Sequence, residues 1–204
     1  MKINYHHEME KIIKKLAPQE KPTLLLHSCC APCSSYVLES LSKSFEITVL
    51  FYNPNLIDQA EFDKRYEEQV RINEVVDASI ALIKLPYIPE EYYDKVSGLE
   101  KDKEGGKRCE LCFQLRLEES AKYACDHHFD FFTTSLSISP MKNAQLLNEL
   151  GIKIGQDYGI TYLISDFKKK NGYKRSVELS KENDLYRQDY CGCIYSKEER
   201  ANQI

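Results

Sequence analysis

The stretch TLLLHSCCAPC at residues 23–33 joins a short apolar run to a cysteine-rich turn. Thr23–His27 has the length and continuous apolar character of a strand buried on both faces, which is typical of a parallel sheet. Pro32 stands where the first turn of a helix would begin, and residues 34–42 continue in a helical pattern. This order indicates an α/β protein, in which reactive groups gather at the carboxyl ends of the strands.

Four further apolar runs repeat the strand pattern and alternate with amphipathic segments. The predicted strands are Glu46–Tyr52, Ala81–Leu85, Phe129–Ser135 and Thr161–Ile164. The predicted helices are 9–16, 61–76, 90–96, 108–127, 143–158 and 173–183. The alternation predicts an α/β fold with a Rossmann-like, three-layer parallel sheet, right-handed crossovers and inserted helices. We expect a single metal-binding domain over residues 1–204, with an N-terminal helical extension at 1–20 and a charged tail at 197–204.

The composition narrows the functional classes. No apolar run approaches the roughly 20 residues that cross a bilayer, and the first residues lack the apolar core of a signal peptide. We therefore expect a cytoplasmic protein with no membrane partner. The net charge of −4 argues against a generally basic nucleic-acid binder, although it permits a local basic patch.

Eight cysteines are many for a cytosolic chain, where disulfides are disfavoured and clustered thiols more often bind metal or do redox chemistry. Seven of them fall into three groups: Cys29, Cys30 and Cys33; Cys109 and Cys112; Cys191 and Cys193. One zinc ion or one cubane cluster needs only four ligands. The surplus favours a second metal, a redox-active thiol pair that can form a disulfide, or both. Cys125 stands alone and is expected to be a core or surface residue.

The spacing of these cysteines gives a first picture of the site. Cys30 and Cys33 form a C-x-x-C at a helix N-terminus, where both sulfurs can face one centre and the helix dipole favours thiolate. Cys29 and Cys30 are adjacent, so an extended backbone is expected to direct them to opposite sides. Cys109 and Cys112 form a second C-x-x-C, which with the first supplies the ligands of structural zinc or of an iron–sulfur cluster.

A basic segment follows the last predicted strand. Its candidate RNA-binding residues are Lys168, Lys169, Lys170, Tyr173, Lys174 and Arg175. The cations can contact a phosphate backbone and Tyr173 can stack on an unpaired base, while the alternative is a solvated loop and helix start.

These motifs, taken in order, resemble one family. They are HSCCAPCS at 27–34, YNPN at 52–55, RCELCF at 108–113, TTSL at 133–136, DFKK at 166–169 and YRQDYCGC at 186–193. The series is similar to that of the QueH epoxyqueuosine reductases and spans residues 22–196. The resemblance implies the adenine-nucleotide α-hydrolase-like variety of the Rossmann fold. It also implies reduction of epoxyqueuosine to queuosine at the wobble position of tRNA, the last step of queuosine biosynthesis, without cobalamin.

The resemblance further implies a [4Fe–4S] cluster with an additional iron ion nearby, and an external electron donor. We expect Cys30, Cys33, Cys109 and Cys112 to hold the cluster. Cys29, Cys191 and Cys193 are then left for the second iron. The departing oxygen needs a proton, for which Tyr52, Asp166 and His27 are candidates, so that Cys29, Tyr52 and Asp166 form the predicted catalytic set.

Three other functions fit parts of the pattern. A thiol–disulfide oxidoreductase would use one C-x-x-C and leave the other thiols unexplained. A zinc-stabilised RNA-binding module would contain zinc and show no visible absorption. An ATP-dependent tRNA sulfur-transfer enzyme would need a glycine- or serine-rich phosphate loop after the first strand, and this chain has thiols there instead.

Overall fold

The structure is a computed structural model that describes residues 3–16 and 21–202. The strands are β1 (Thr23–Ser28), β2 (Glu46–Phe51), β3 (Ala81–Lys84), β4 (Phe131–Thr134) and β5 (Thr161–Tyr162). The helices are α1 (Tyr5–Lys15), α2 (Ala31–Leu41), α3 (Gln59–Asp77), α4 (Pro89–Val96), α5 (Lys107–Asp126), α6 (Ala144–Tyr158), α7 (Gly172–Glu182) and α8 (Ile194–Ala201). A short 3₁₀ helix, Ser135–Ile138, follows β4 directly.

The five strands form one parallel sheet in the order β3-β2-β1-β4-β5, which confirms the predicted fold class. β1 lies at the centre, with Ser28 beside Phe51 of β2 and His27 beside Thr134 of β4. β2, the next strand in sequence, lies on one side of β1 in the sheet, and β4 lies on the other side. The carboxyl ends of β1 and β4 therefore flank the switch point of the sheet, where open α/β sheets bind their ligands.

Helices cover both faces of the sheet, as a strand with no polar face requires. Leu24 and Leu26 point into one core layer, which Met9 of α1 and residues of α2 and α3 complete. Leu25 points the other way and packs against residues of α5 and α6. Each fully buried leucine stabilises the fold by about 1.5–3 kcal/mol. The alternation along β1 thus fixes which helices lie on which side.

The structure differs from the sequence-based expectations mainly near the C-terminus. Much of the predicted tail at 197–204 belongs to α8, and residues 203–204 lie outside the described residues. The Sγ of Cys193 caps this helix by accepting a hydrogen bond from the Ser196 N–H at 3.4 Å. A cysteine cap is not among the usual helix-start signals, which are Ser, Thr, Asp and Asn. β5 is also shorter than predicted, since Leu163 lies beyond its end.

Candidate metal centre and substrate cleft

The first group of cysteines lies in the turn between β1 and α2. The sulfur atoms of Cys29, Cys30 and Cys33 all lie within 4.8 Å of one another, and the Sγ atoms of Cys29 and Cys30 are 3.8 Å apart. The expectation that Cys29 and Cys30 point to opposite sides is therefore wrong. Side chains alternate only within a strand, and β1 ends at Ser28, after which the backbone bends.

Buried hydrogen bonds hold this turn in place. The hydroxyls of Ser28 and Ser34 both donate to Oε1 of Gln69 in α3, at 2.6 and 2.8 Å. The Asn53 side chain donates to the Ser28 carbonyl at 2.8 Å. Because these groups are buried, each bond removes a polar atom that would otherwise lack a partner, and the turn is tied to α3 and to the end of β2.

The three thiols share their protons unevenly. Cys30 and Cys33 donate towards the sulfur of Cys29, which holds the pKa of Cys29 well below its ordinary value. The same contact with Cys29 raises the pKa of Cys30 to about 12. Cys30 is also the N-cap of α2, whose dipole favours negative charge at this end. The turn is thus arranged to carry at least one thiolate.

The second group combines the remaining two pairs. Cys109 lies in the first turn of α5, where its sulfur accepts a hydrogen bond from the Gly105 N–H at 3.2 Å. Cys112, one turn further along, packs with Cys193 against Tyr92. The carbonyl of Cys191 accepts a hydrogen bond from buried Arg65 at 3.2 Å. The charges of Cys109, Cys191 and Cys193 all act on Cys112, but among the described residues only Cys29, Cys30 and Cys33 bring three sulfurs within 4.8 Å of one another.

Three buried arginines surround the thiols: Arg65, Arg108 and Arg116, each 1% exposed. Arg65 pairs with Glu61 at 2.6 Å and Arg108 with Glu199 at 3.0 Å. Within residues 3–16 and 21–202, no carboxylate forms an ion pair with Arg116. Burial alone would lower the pKa of Arg116, but the thiols of Cys112, Cys191, Cys29 and Cys109 hold it above its ordinary value. A buried cation without a carboxylate needs negative charge from another source, and thiols are what it faces.

An open cleft of about 1060 Å³ gives access to this region. Cys29, Cys30, Cys33 and Cys191 line it, so thiols of both groups reach the same space. Lys142, in the turn after the 3₁₀ helix, also lines the cleft. Burial would lower its pKa, but the thiols of Cys191, Cys29 and Cys33 hold it above its ordinary value. Sequence reasoning missed Lys142, because a lone lysine in a polar turn has no distinguishing pattern.

The predicted proton donors lie at or beyond the carboxyl ends of the strands. The ring of His27 bonds the Thr134 hydroxyl and the Tyr52 carbonyl, at 2.9 and 3.0 Å, and burial lowers its pKa to about 4, so the ring is neutral near pH 7. The Tyr52 hydroxyl donates to a Glu91 carboxylate oxygen at 2.6 Å. The Asp166 carboxylate accepts from Lys168 at 3.1 Å. These bonds fix the carboxyl ends of the strands, and none of the three residues is among those lining the cleft.

Only part of the predicted RNA-binding segment is available to a ligand. Tyr173 lines the cleft, with 38% of its surface exposed. Four of the five cations are instead in ion pairs: Lys168 with Asp166, Lys170 with Glu10, Lys174 with Glu178, and Arg175 with Glu39, Glu178 and Glu182. Most of the positive charge that the sequence displays here is therefore already neutralised.

The donor set fits thiophilic metal. Soft thiolates select zinc, copper(I) and iron–sulfur centres, and three sulfurs within 4.8 Å of one another can bind one ion or one face of a cluster. The unpaired charge of Arg116 calls for anionic sulfur beside it. All eight cysteines are free thiols, and the exposed Cys125 lies outside both groups, as expected. The described residues include no helix of the length and apolarity that a membrane span requires.

Comparison with known proteins identifies the family of the chain. The family model described as epoxyqueuosine reductase QueH matches residues 24–199, which include all seven grouped cysteines. An epoxyqueuosine reductase QueH of Streptococcus pyogenes is 44% identical over 200 residues, covering 96% of this chain and 78% of the relative. That of Staphylococcus epidermidis is 43% identical, covering 96% and 85%, and that of Thermotoga maritima is 34% identical, covering 89% and 93%. The chain therefore belongs to the epoxyqueuosine reductase QueH family and is an oxidoreductase.

Proposed function

We propose that this protein reduces epoxyqueuosine to queuosine at the wobble position of tRNA, using a cysteine-bound [4Fe–4S] cluster with an adjacent iron and no cobalamin. The proposal that the protein binds metal rests on one observation. Thiols of both cysteine groups face Arg116, a buried arginine that has no carboxylate partner in the described chain. The proposed reaction rests on the name of the relatives, epoxyqueuosine reductase. An external donor supplies the electrons.

The reaction requires two electrons and two protons, which convert the epoxide into an alkene and release its oxygen as water. When bound, such iron centres supply electrons singly and a Lewis acid for oxygen. The thiols of the turn after β1 face the open cleft, so a substrate can approach them directly. Lys142 places a positive charge beside Cys29 and Cys191, where negative charge on a departing oxygen would be stabilised.

The grouping of the sulfur atoms favours a division different from the one based on the sequence. We propose that Cys109, Cys112, Cys191 and Cys193 hold the cluster, since four thiols meet its ligand requirement. Cys29, Cys30 and Cys33 then hold the iron. These three residues line the cleft, so a metal held there would be accessible to the substrate. The alternative, in which Cys30, Cys33, Cys109 and Cys112 share the cluster, predicts the same total of seven ligands.

The deciding experiment is metal analysis of protein purified without oxygen, together with its visible spectrum and a single turnover on epoxyqueuosine-containing tRNA. We expect about four irons with matching sulfide, additional iron, and queuosine formed with a chemical reductant and no added cobalamin. Stoichiometric zinc with no visible band would instead identify a zinc-stabilised RNA-binding module. Turnover by metal-free protein would identify thiol chemistry alone.

A further inference from the structure

The cleft carries positive charge that is not neutralised nearby. Five cations and three carboxylates line it, although the whole chain has a net charge of −4. Lys101, Lys103 and Arg187 form no ion pair with any carboxylate of residues 3–16 and 21–202, whereas Lys142 faces thiols. This contrasts with the segment 168–175, where four of the five cations are paired. Free cations at the mouth of a cleft are available to a polyanion without first losing a partner.

Flat and polarisable side chains lie among these cations. Tyr173 and Met141 line the same cleft and are 38% and 71% exposed. The Arg187 guanidinium lies 5.6 Å from the centre of the Tyr173 ring and donates a hydrogen bond to its hydroxyl at 3.2 Å. Arg187 thereby holds the ring in one orientation. An exposed aromatic ring with a cation against it is a surface on which an unpaired base stacks.

We propose that Tyr173, Arg187 and Met141 form a stacking platform for the nucleotides flanking the reacting base, while Lys101 and Lys103 hold phosphates of the same loop. This rests on the proposed function and adds where the anticodon loop lies. The partner is single-stranded RNA within a loop, because stacking needs bases that are not paired. The loop is then held over the thiols by contacts on the rim of the cleft, and the segment 168–175 contributes mainly through Tyr173.

The test is binding of the iron-loaded protein to an anticodon stem–loop over a range of salt concentrations. Each lost phosphate contact reduces the steepness of the plot of log affinity against log salt by about 0.7 for single-stranded RNA. We expect Lys101→Gln with Lys103→Gln to reduce the steepness by about 1.4, the sum of two such contacts. A double variant of distant exposed lysines, Lys122→Gln with Lys153→Gln, is matched in charge and should keep the wild-type slope.

Tyr173 provides a second, charge-independent measurement. Tyr173→Ala should weaken stem–loop binding by roughly tenfold or more, because one base loses its stacking partner, and Tyr173→Phe should recover most of that affinity. The proposal is overturned if the wild-type protein binds and reduces its substrate while both sets of rim variants behave like wild type. It is also overturned if only Lys169→Gln with Lys174→Gln reduces the steepness. Absence of turnover on the tRNA by iron-loaded wild-type protein would instead count against the proposed function.

Discussion

Arg116 donates a hydrogen bond from its Nη2 to the sulfur of Cys112 at 3.2 Å, and one from its Nε to the Cys112 carbonyl at 3.1 Å. Its charge also acts on Cys29, which belongs to the other group of thiols. A positive charge close to a metal–thiolate centre stabilises the reduced, more negative state. We therefore expect Arg116→Met to lower the reduction potential of the iron centre by on the order of 60 mV, a tenfold change in a one-electron equilibrium.

A redox titration of the visible or EPR signal measures this shift. Arg116→Lys keeps the charge and should restore most of the potential, which separates the electrostatic effect from loss of packing. Arg71→Met removes an exposed arginine paired with Glu68 and serves as the control. Equal potentials in Arg116→Met and the wild type would show that this charge does not act on the centre.

The turn that carries the last two cysteines depends on Gly192. Its φ of +130° lies where residues with a side chain are strained, and an added Cβ would be 2.6 Å from Leu56 Cδ2. We expect Gly192→Ala to destabilise the protein by about 1–3 kcal/mol and to reduce metal retention, because the strain falls between Cys191 and Cys193. Gly98→Ala is a control for positive φ without a steric contact, since its φ is +82° with no neighbouring atom within 4 Å. Thermal unfolding should show a smaller loss of stability for Gly98→Ala than for Gly192→Ala.

Iron content should follow the grouping of the thiols. We expect Cys29→Ala to lose the additional iron and retain the cluster's sulfide, because Cys29 belongs to the first group. Cys191→Ala should lose both sulfide and visible absorption. Cys125→Ala, at an exposed position, should match the wild type in both. Full iron content and full turnover in Cys29→Ala would refute the two-centre arrangement.

The ion pair between Glu10 and Lys170 predicts a pH dependence. The hydrogen bond from Lys170 holds the pKa of the Glu10 carboxyl below its ordinary value. Its contribution to stability is therefore present above the ordinary pKa of a glutamate and is lost as the pH falls through the lowered value. In an NMR titration, Lys170→Met should raise the pKa of Glu10. Adding the anticodon stem–loop should leave it unchanged if RNA binds at the cleft rim, and raise it if RNA takes Lys170 from its partner.

The proton donor can be assigned by rates. Loss of a general acid typically costs 10²- to 10⁴-fold in rate. Asp166→Asn and Tyr52→Phe each remove one proposed donor while keeping the shape of the side chain. A variant that lowers the single-turnover rate by that factor, with stem–loop affinity unchanged, identifies the donor. If both stay within a few-fold of wild type, the proton comes from His27, from a group lining the cleft or from water.

The fold could be predicted from β1 outward, because its uninterrupted apolar character requires cover on both faces. The seven grouped cysteines could also be singled out without coordinates, because they fall into three clusters along the chain. Their division into two groups could not. It depends on the bend at Cys29 and on the position of the Cys191–Cys193 turn, which Arg65 and Gly192 fix through contacts distant in sequence.

The electrostatics were the least predictable part. Lys142 carries no local pattern, and nothing in the sequence shows that Arg116, which follows the second C-x-x-C, faces thiols of both groups. The basic segment at 168–175 shows the converse, because a charge run is visible in sequence while its carboxylate partners on α1, α2 and α7 are not.

Contacts between Arg65 of α3 and the Cys191 carbonyl bring the last cysteines beside a turn made near the start of the chain. This separation in sequence sets the order in which the cysteines are translated. A chain still on the ribosome contains Cys29, Cys30 and Cys33 before Cys191 has been translated. At that stage Arg116 and Lys142 lack part of the sulfur that they face in the complete protein. The proposed centre can therefore be completed only after Cys191 and Cys193 have been translated, and metal delivered earlier would meet only part of the proposed ligand set.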